Sequence, residues 1–146
     1  MTSDHDPFAQ RSVRTLAWLG DAEFEREVRL RLARRGDYST DRLHAMKTLV
    51  VRAEAQAELL AEISSQLDEA EASVVRRAKN LSHKAGSRSA RNTRDYRAAT
   101  ALEALVAHWC LGPKHRQDRF DALIAPWLET RIDAAIASAS RSPRRG

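Results

Sequence analysis

Leu16-Ala17-Trp18-Leu19-Gly20-Asp21-Ala22-Glu23-Phe24-Glu25 is the stretch on which the reading of this chain turns. Val13, Ala17, Gly20, Phe24 and Val28 recur at helical spacing and make one apolar stripe. Asp21 falls inside that stripe, in line with Ala17, Phe24 and Val28. A carboxylate on a packing face is expensive to bury unless something pairs with it. It must bond to a neighbouring helix, reach solvent at the edge of the stripe, or meet a partner that shares its charge problem.

A second stretch supplies such a partner. Arg97-Ala98-Ala99-Thr100-Ala101-Leu102-Glu103-Ala104-Leu105-Val106-Ala107-His108-Trp109 reads as another helix, with Glu103 in line with Ala99, Val106 and Cys110. Two helices that each carry one acid on a packing face can bring those acids together. Like charges in a semi-buried site demand a cation or a shared proton. Hard oxygen ligands, with no His or Cys at metal spacing, suit magnesium rather than zinc.

A length of 146 residues is that of one domain, and dimerisation would add to the core it can build. Hydrophobic content is 42%, and no apolar run approaches a membrane span. The start, Met1 to Pro7, is acidic and lacks the apolar segment of a signal peptide. A single cysteine, Cys110, excludes an internal disulfide and fits a reducing cytoplasm, where it is expected as a small core residue. The formal charge of +5 is compatible with a polyanionic partner.

The rest of the chain reads as all-α, with no strand alternation, no internal repeat and no glycine-rich phosphate loop. Residues 1–12 are expected to be flexible, 13–136 to form the domain and 137–146 to be a basic disordered tail. The first helix is expected to end near Arg34, with Gly36 as a stop signal. Ser39-Thr40-Asp41 offers caps for a long second helix to about Gln66, bent or broken on the way. His44 on its early face reads as structural. Asp68-Glu69-Ala70-Glu71 places acids in the first turn of a helix to about Lys79, where the dipole favours them. Asn80 to Arg94 is the longest polar interruption. Lys84, Arg88, Arg91 and Arg94 lie in it, flanked by Arg76, Arg77, Lys79 and Arg97, which suits a phosphate-contacting arm that orders on its partner. Asn92-Thr93 can cap the following helix, which stops at Gly112-Pro113. A last helix, from about His115 or Gln117 to Ile136, should kink or break at Pro126.

Leu19-Gly20-Asp21-Ala22 and Leu102-Glu103-Ala104-Leu105 resemble the two signature motifs of the ribonuclease III catalytic domain, in its short bacterial branch, mini-ribonuclease III. Leu43-His44-Ala45-Met46, Arg52-Ala53-Glu54-Ala55-Gln56-Ala57, Arg76-Arg77-Ala78-Lys79-Asn80, Asn92-Thr93 and Tyr96-Arg97 follow in the family's order. The resemblance runs from about Val13 to Leu128. It implies an all-α ribonuclease III-type domain that forms a twofold homodimer and cuts double-stranded RNA. Asp21 and Glu103 would be both metal ligands and catalytic residues, with Mg2+ as cofactor and Mn2+ as a substitute. Arg76, Arg77, Lys79, Asn80, Lys84, Arg88, Arg91, Arg94 and Arg97 would contact RNA. Trp18 stands where the family carries an aromatic that enters a socket on the other subunit; covering its own domain's edge is the alternative. The branch's role implies a ribosomal RNA precursor as substrate, at 23S ends, with a ribosomal protein presenting it.

The departures are specific. Arg14, Ala17 and Thr100 occupy positions where full-length ribonuclease III has further carboxylates, so two acids remain. Glu23 stands at a usually apolar position and reads as surface charge, half a turn from Asp21. Glu25 is a weaker candidate for a role beside the metal. Leu102 stands where Phe is frequent. A catalytically silent domain of this fold that binds structured RNA is the competing reading, and retention of both acids favours the enzyme.

Overall fold

Ser12 opens the first helix by accepting the Thr15 backbone N–H at 3.2 Å. The computed structural model describes residues 6–81 and 90–141. Over these the order is α1 Val13–Arg35, α2 Thr40–Val51, α3 Ala53–Ile63, a short 3₁₀ turn Ser64–Gln66, α4 Glu69–Lys79, α5 Ala90–Cys110, α6 Lys114–Leu123 and α7 Ala125–Arg141. There is no strand among the described residues.

The middle of α5 is apolar on all sides. Ala101, Leu102, Ala104, Leu105, Val106, Ala107 and Trp109 are all buried, which is the signature of a helix enclosed by others. It is packed by α1, α3, α4 and α6, while α7 closes the far side against α2 and α6. The crossing of α1 over α5 is the tightest. A Cβ at Gly20 would stand 1.6 Å from the carbonyl oxygen of Glu103, so the two backbones touch there and only glycine fits.

The long second segment, expected to be bent or broken, is two helices separated at Arg52, whose backbone is extended at φ −62°, ψ 155°. No proline or glycine marks the break. Gln56 stabilises it instead, donating Nε2 to the Val51 carbonyl at 2.7 Å. Asn92-Thr93 does not cap α5, which begins at Ala90 and so contains both residues in its first turn. The last segment does split, at Ile124, with Pro126 in the first turn of α7, where its missing N–H costs nothing. That helix continues to Arg141, five residues into the expected tail, because Ala135, Ile136 and Ala139 extend its apolar stripe onto the core.

The start of the chain is tied down from Asp6 onward. The Asp6 carboxylate accepts from Arg116 at 3.0 Å and from the Phe8 N–H at 2.8 Å, and Phe8 packs on the core. Residues 1–5 and 142–146 lie outside the described residues.

One buried acid fastens three helices. Glu71, 1% exposed, forms a capping box with Asp68 at the start of α4. Its carboxylate also accepts from the Trp109 indole of α5 at 2.7 Å and from Arg119 of α6 at 2.6 Å and 2.9 Å. Burial alone would raise its pKa, but the bonds from Arg119, the Asp68 N–H and Trp109 outweigh it and hold the group at about 2. Since the unfolded chain protonates it near 4.5, its contribution is full above that pH and is lost as pH falls toward about 2. Glu71→Ala strands the Arg119 charge and the indole N–H, and should cost about 3–5 kcal/mol in urea melts at neutral pH. The variant should also lack the part of the acid-induced loss due to this group. A cost under about 1 kcal/mol would show that α4, α5 and α6 do not depend on it.

Candidate active site

Asp21 follows Gly20 in α1, and Glu103 is the residue whose carbonyl lies over Gly20. The closest point of the helix crossing therefore sets the two acids side by side. Both acids line the same pocket. Asp21 is exposed and Glu103 half-buried. Burial first, and then the hydrogen bond and charge of Asp21, push Glu103 up to about 8.

The pair opens into a pocket of about 460 Å³. Its walls come from α1, from the α2–α3 break and from the N-terminal half of α5, and include Arg14, Trp18, Gln56, Tyr96 and Thr100. Gln56 is a residue the sequence reading passed over. It is 5% exposed, and its Oε1 is buried without a hydrogen-bond partner. The signal was a polar side chain on the face shared with Ala53 and Leu60. The donor set of the pocket, two carboxylates and no sulfur or imidazole, fits a hard divalent ion.

A second acidic group lies on the other flank of α1. Carboxylates of Glu23 and Glu27 stand within 4.8 Å of the Cys110 sulfur and of each other. Glu23 is thus half-buried rather than pure surface charge. Glu27 is already paired with Arg31. Burial, then Glu27, Glu23 and Asp121, push the Cys110 thiol up to about 12, so it offers no thiolate. Glu25 takes no part in the pocket: it pairs with Lys47 at 2.9 Å and Arg29 at 3.2 Å, and the Lys47 bond leads in lowering its pKa. His44 is exposed on α2, not packed in a core.

The cations singled out in the sequence separate into groups. Lys79, Asn80, Arg94 and Arg97 line one cleft of about 600 Å³ between α3, α4 and α5. Arg76 and Arg77 are exposed beside it on α4, Arg76 bound to Glu69 at 2.8 Å. Lys84 and Arg88 lie outside the described residues, and for Arg91 only the backbone, in α5, is described. Trp18, 75% exposed, stands at the rim of the Asp21–Glu103 pocket.

The family model for the ribonuclease III domain matches residues 14–125 of this all-helical chain. The chain is 44% identical over 97 residues to Mini-ribonuclease 3 of Desulfitobacterium hafniense, covering 66% of this chain and 60% of that protein's length. It is 42% identical to Mini-ribonuclease 3 of Symbiobacterium thermophilum, over 64% of this chain and 72% of the relative. For Mini-ribonuclease 3 of Brevibacillus brevis the values are 40%, 70% and 75%. A crystal structure of a Fusobacterium nucleatum protein superposes with a TM-score of 0.73 at 26% identity, covering 89% of this chain and 98% of that one. The chain belongs to the ribonuclease III family, in its mini-ribonuclease III branch.

Glu103 releases its proton near 4.5 in the unfolded chain and near 8 in the fold. The folded state therefore holds the extra proton between these values, and stability falls as pH rises through that window. Glu103→Gln should melt higher than the wild type at about pH 9 without divalent metal, and the gap should close toward about pH 5. A variant less stable than the wild type at the higher pH would mean that the acids do not oppose each other.

Proposed function

We propose that this protein is a magnesium-dependent endoribonuclease that cuts both strands of duplex RNA as a twofold homodimer, with manganese able to replace magnesium. The observation that carries this reading is the Asp21–Glu103 pair, two acids set side by side in one open pocket by the crossing of α1 and α5. Asp21 and Glu103 would hold the ion, which supplies an activated water and neutralises charge on the leaving oxygen. Glu103 is oriented by the helix crossing behind it, and Asp21, exposed, can adjust to the substrate. Products would carry a 5′ phosphate and a 3′ hydroxyl.

The cleft lined by Lys79, Asn80, Arg94 and Arg97 would seat the phosphate backbone of the duplex, with Arg77 beside it. Tyr96 lines the Asp21–Glu103 pocket and Arg97 lines this cleft, so adjacent residues of α5 connect the two. The branch points to a ribosomal RNA precursor, at 23S ends, as substrate, with a ribosomal protein presenting it. No helix among the described residues is long and apolar enough to cross a membrane, which accords with work in the cytoplasm.

One two-acid pocket cuts one strand, so cutting a duplex in one encounter needs two pockets related by a twofold axis. Trp18 is the residue through which this would be built: tryptophan is highly buried on average, and a partner subunit would cover a side chain that is 75% exposed here.

Two measurements test the reading. With magnesium, the wild type should cut duplex RNA and spare single-stranded RNA and duplex DNA. Asp21→Asn should bind the duplex but cut it at least about 10²-fold more slowly. Binding without cutting by the wild type would favour the silent, RNA-binding domain. Separately, Trp18→Ala should weaken dimerisation by about 2 kcal/mol or more, roughly thirtyfold, in sedimentation. A monomeric wild type at micromolar concentration, or an undisturbed variant dimer, would remove Trp18 from the interface.

A further inference from the structure

Arg14 sits in the wall of the Asp21–Glu103 pocket and is the only cation among the described residues that line it. It lies seven residues before Asp21 on α1. Seven residues are close to two full turns, so both residues lie on one face, about 10 Å apart along the axis. Trp18 lies between them on the same wall, and Ala17, with one methyl group, leaves the space between them open.

The Arg14 side chain is exposed, and no carboxylate pairs with it among the described residues. Its neighbours on the helix behave otherwise. Arg29 is held by Glu25 at 3.2 Å, Arg31 by Glu129 at 3.2 Å and Arg35 by Glu129 at 2.7 Å. Of the α1 arginines, only Arg14 and Arg34 have no carboxylate partner among the described residues, and of these only Arg14 lines the pocket. The pocket also holds two acids, Asp21 and Glu103, but neither forms an ion pair with Arg14 among the described residues.

We propose that Arg14 binds the substrate itself: its guanidinium grips the phosphate next to the one being cut, on the strand that lies in the Asp21–Glu103 pocket. This rests on the nuclease reading above and names a contact within it. A guanidinium repels a metal ion, so the partner that fits between Arg14 and a metal-loaded pair is an anion. A planar fork of N–H donors matches the two free oxygens of a phosphodiester. Two helical turns separate Arg14 from Asp21, and a long side chain together with one nucleotide step spans that distance. The contact fixes which phosphate lies over the acids; no bond is made or broken at Arg14.

The test pairs a variant with a modified substrate. Duplex RNA carrying one uncharged methylphosphonate is prepared for each position around the cut site. Binding is measured in EDTA, where no cleavage occurs. Arg14→Ala should bind unmodified duplex about tenfold more weakly, with the slope of log affinity on log salt reduced by about one. Arg14→Lys should recover part of the loss, and Arg14→Glu should lose more than Arg14→Ala. In the wild type, methylphosphonate next to the scissile position should cost a similar factor. In Arg14→Ala that same modification should cost little more, while modifications elsewhere cost both proteins equally. Sedimentation should show Arg14→Ala as dimeric as the wild type.

Additive losses at every position would overturn the proposal, as would unchanged binding by Arg14→Ala. A variant that falls to monomer would place Arg14 in the subunit interface and overturn it too. If the wild type cuts duplex RNA with magnesium while these outcomes fail, only Arg14 is misassigned. If the wild type does not cut, the nuclease reading fails and this contact with it.

Discussion

The backbone contact between Gly20 and Glu103 is the constraint on which the rest of the structure depends. With no side chain at Gly20, α1 settles onto α5 until a Cβ there would overlap the Glu103 carbonyl at 1.6 Å. That approach fixes the relative depth and rotation of the two helices. It also decides that the residue after Gly20 and the side chain of Glu103 emerge together. The acids need not be brought together by any bond of their own; the packing does it, and their mutual repulsion is the cost. The rest of α5 offsets that cost, since its apolar surface from Ala101 to Trp109 is buried against α1, α3, α4 and α6.

The far end of α5 is held by a different kind of interaction. Glu71 gathers a capped helix start, an indole and a guanidinium around one carboxylate. Here charge is satisfied completely and the group is strongly acidic. At Asp21–Glu103 charge is left unsatisfied and the proton is retained. The two carboxylate sites thus bracket α5, one closed and stabilising, one open and strained. Conflict with the fold's own stability is what a binding site for an external cation requires, because a pair already neutralised by arginine would have nothing to offer it.

What was legible in the sequence follows from the same contrast. Asp21 and Glu103 stood out because each interrupts an apolar stripe, a conflict that local propensity cannot explain. Glu71 did not stand out. An acid in the first turn of a helix is ordinary, and nothing within α4 announces that Trp109 and Arg119 arrive from elsewhere to bury it. The position of the break at Arg52 was equally silent, since it is stabilised by a Gln56 bond to Val51 across the break rather than by proline or glycine. The start of α5 was placed late because Asn92 and Thr93 look like caps; a helix can run through such residues once neighbouring contacts outweigh their preference. The reach of α7 to Arg141 rested on alanines, whose weak hydrophobic signal marks a packing face poorly.

Charge along α1 completes the argument. Arg29, Arg31 and Arg35 are matched by acids of the fold, and Glu25 by Lys47, so most of this helix is electrostatically closed. Three uncompensated groups lie together where α1 borders the pocket: an Arg14 with no acid partner among the described residues, an exposed Trp18 and an Asp21 set beside the Glu103 carboxyl. Each alone has an ordinary explanation, as a solvated arginine, a surface tryptophan or a strained carboxylate. They lie on one face within about two turns, and the three liabilities call for different remedies: an anion, an apolar surface and a cation. A second subunit supplies the apolar surface, and metal-bound RNA supplies the other two together. The surface of α1 that the fold leaves uncompensated is therefore a description, in charge and hydrophobicity, of the complex it is proposed to form.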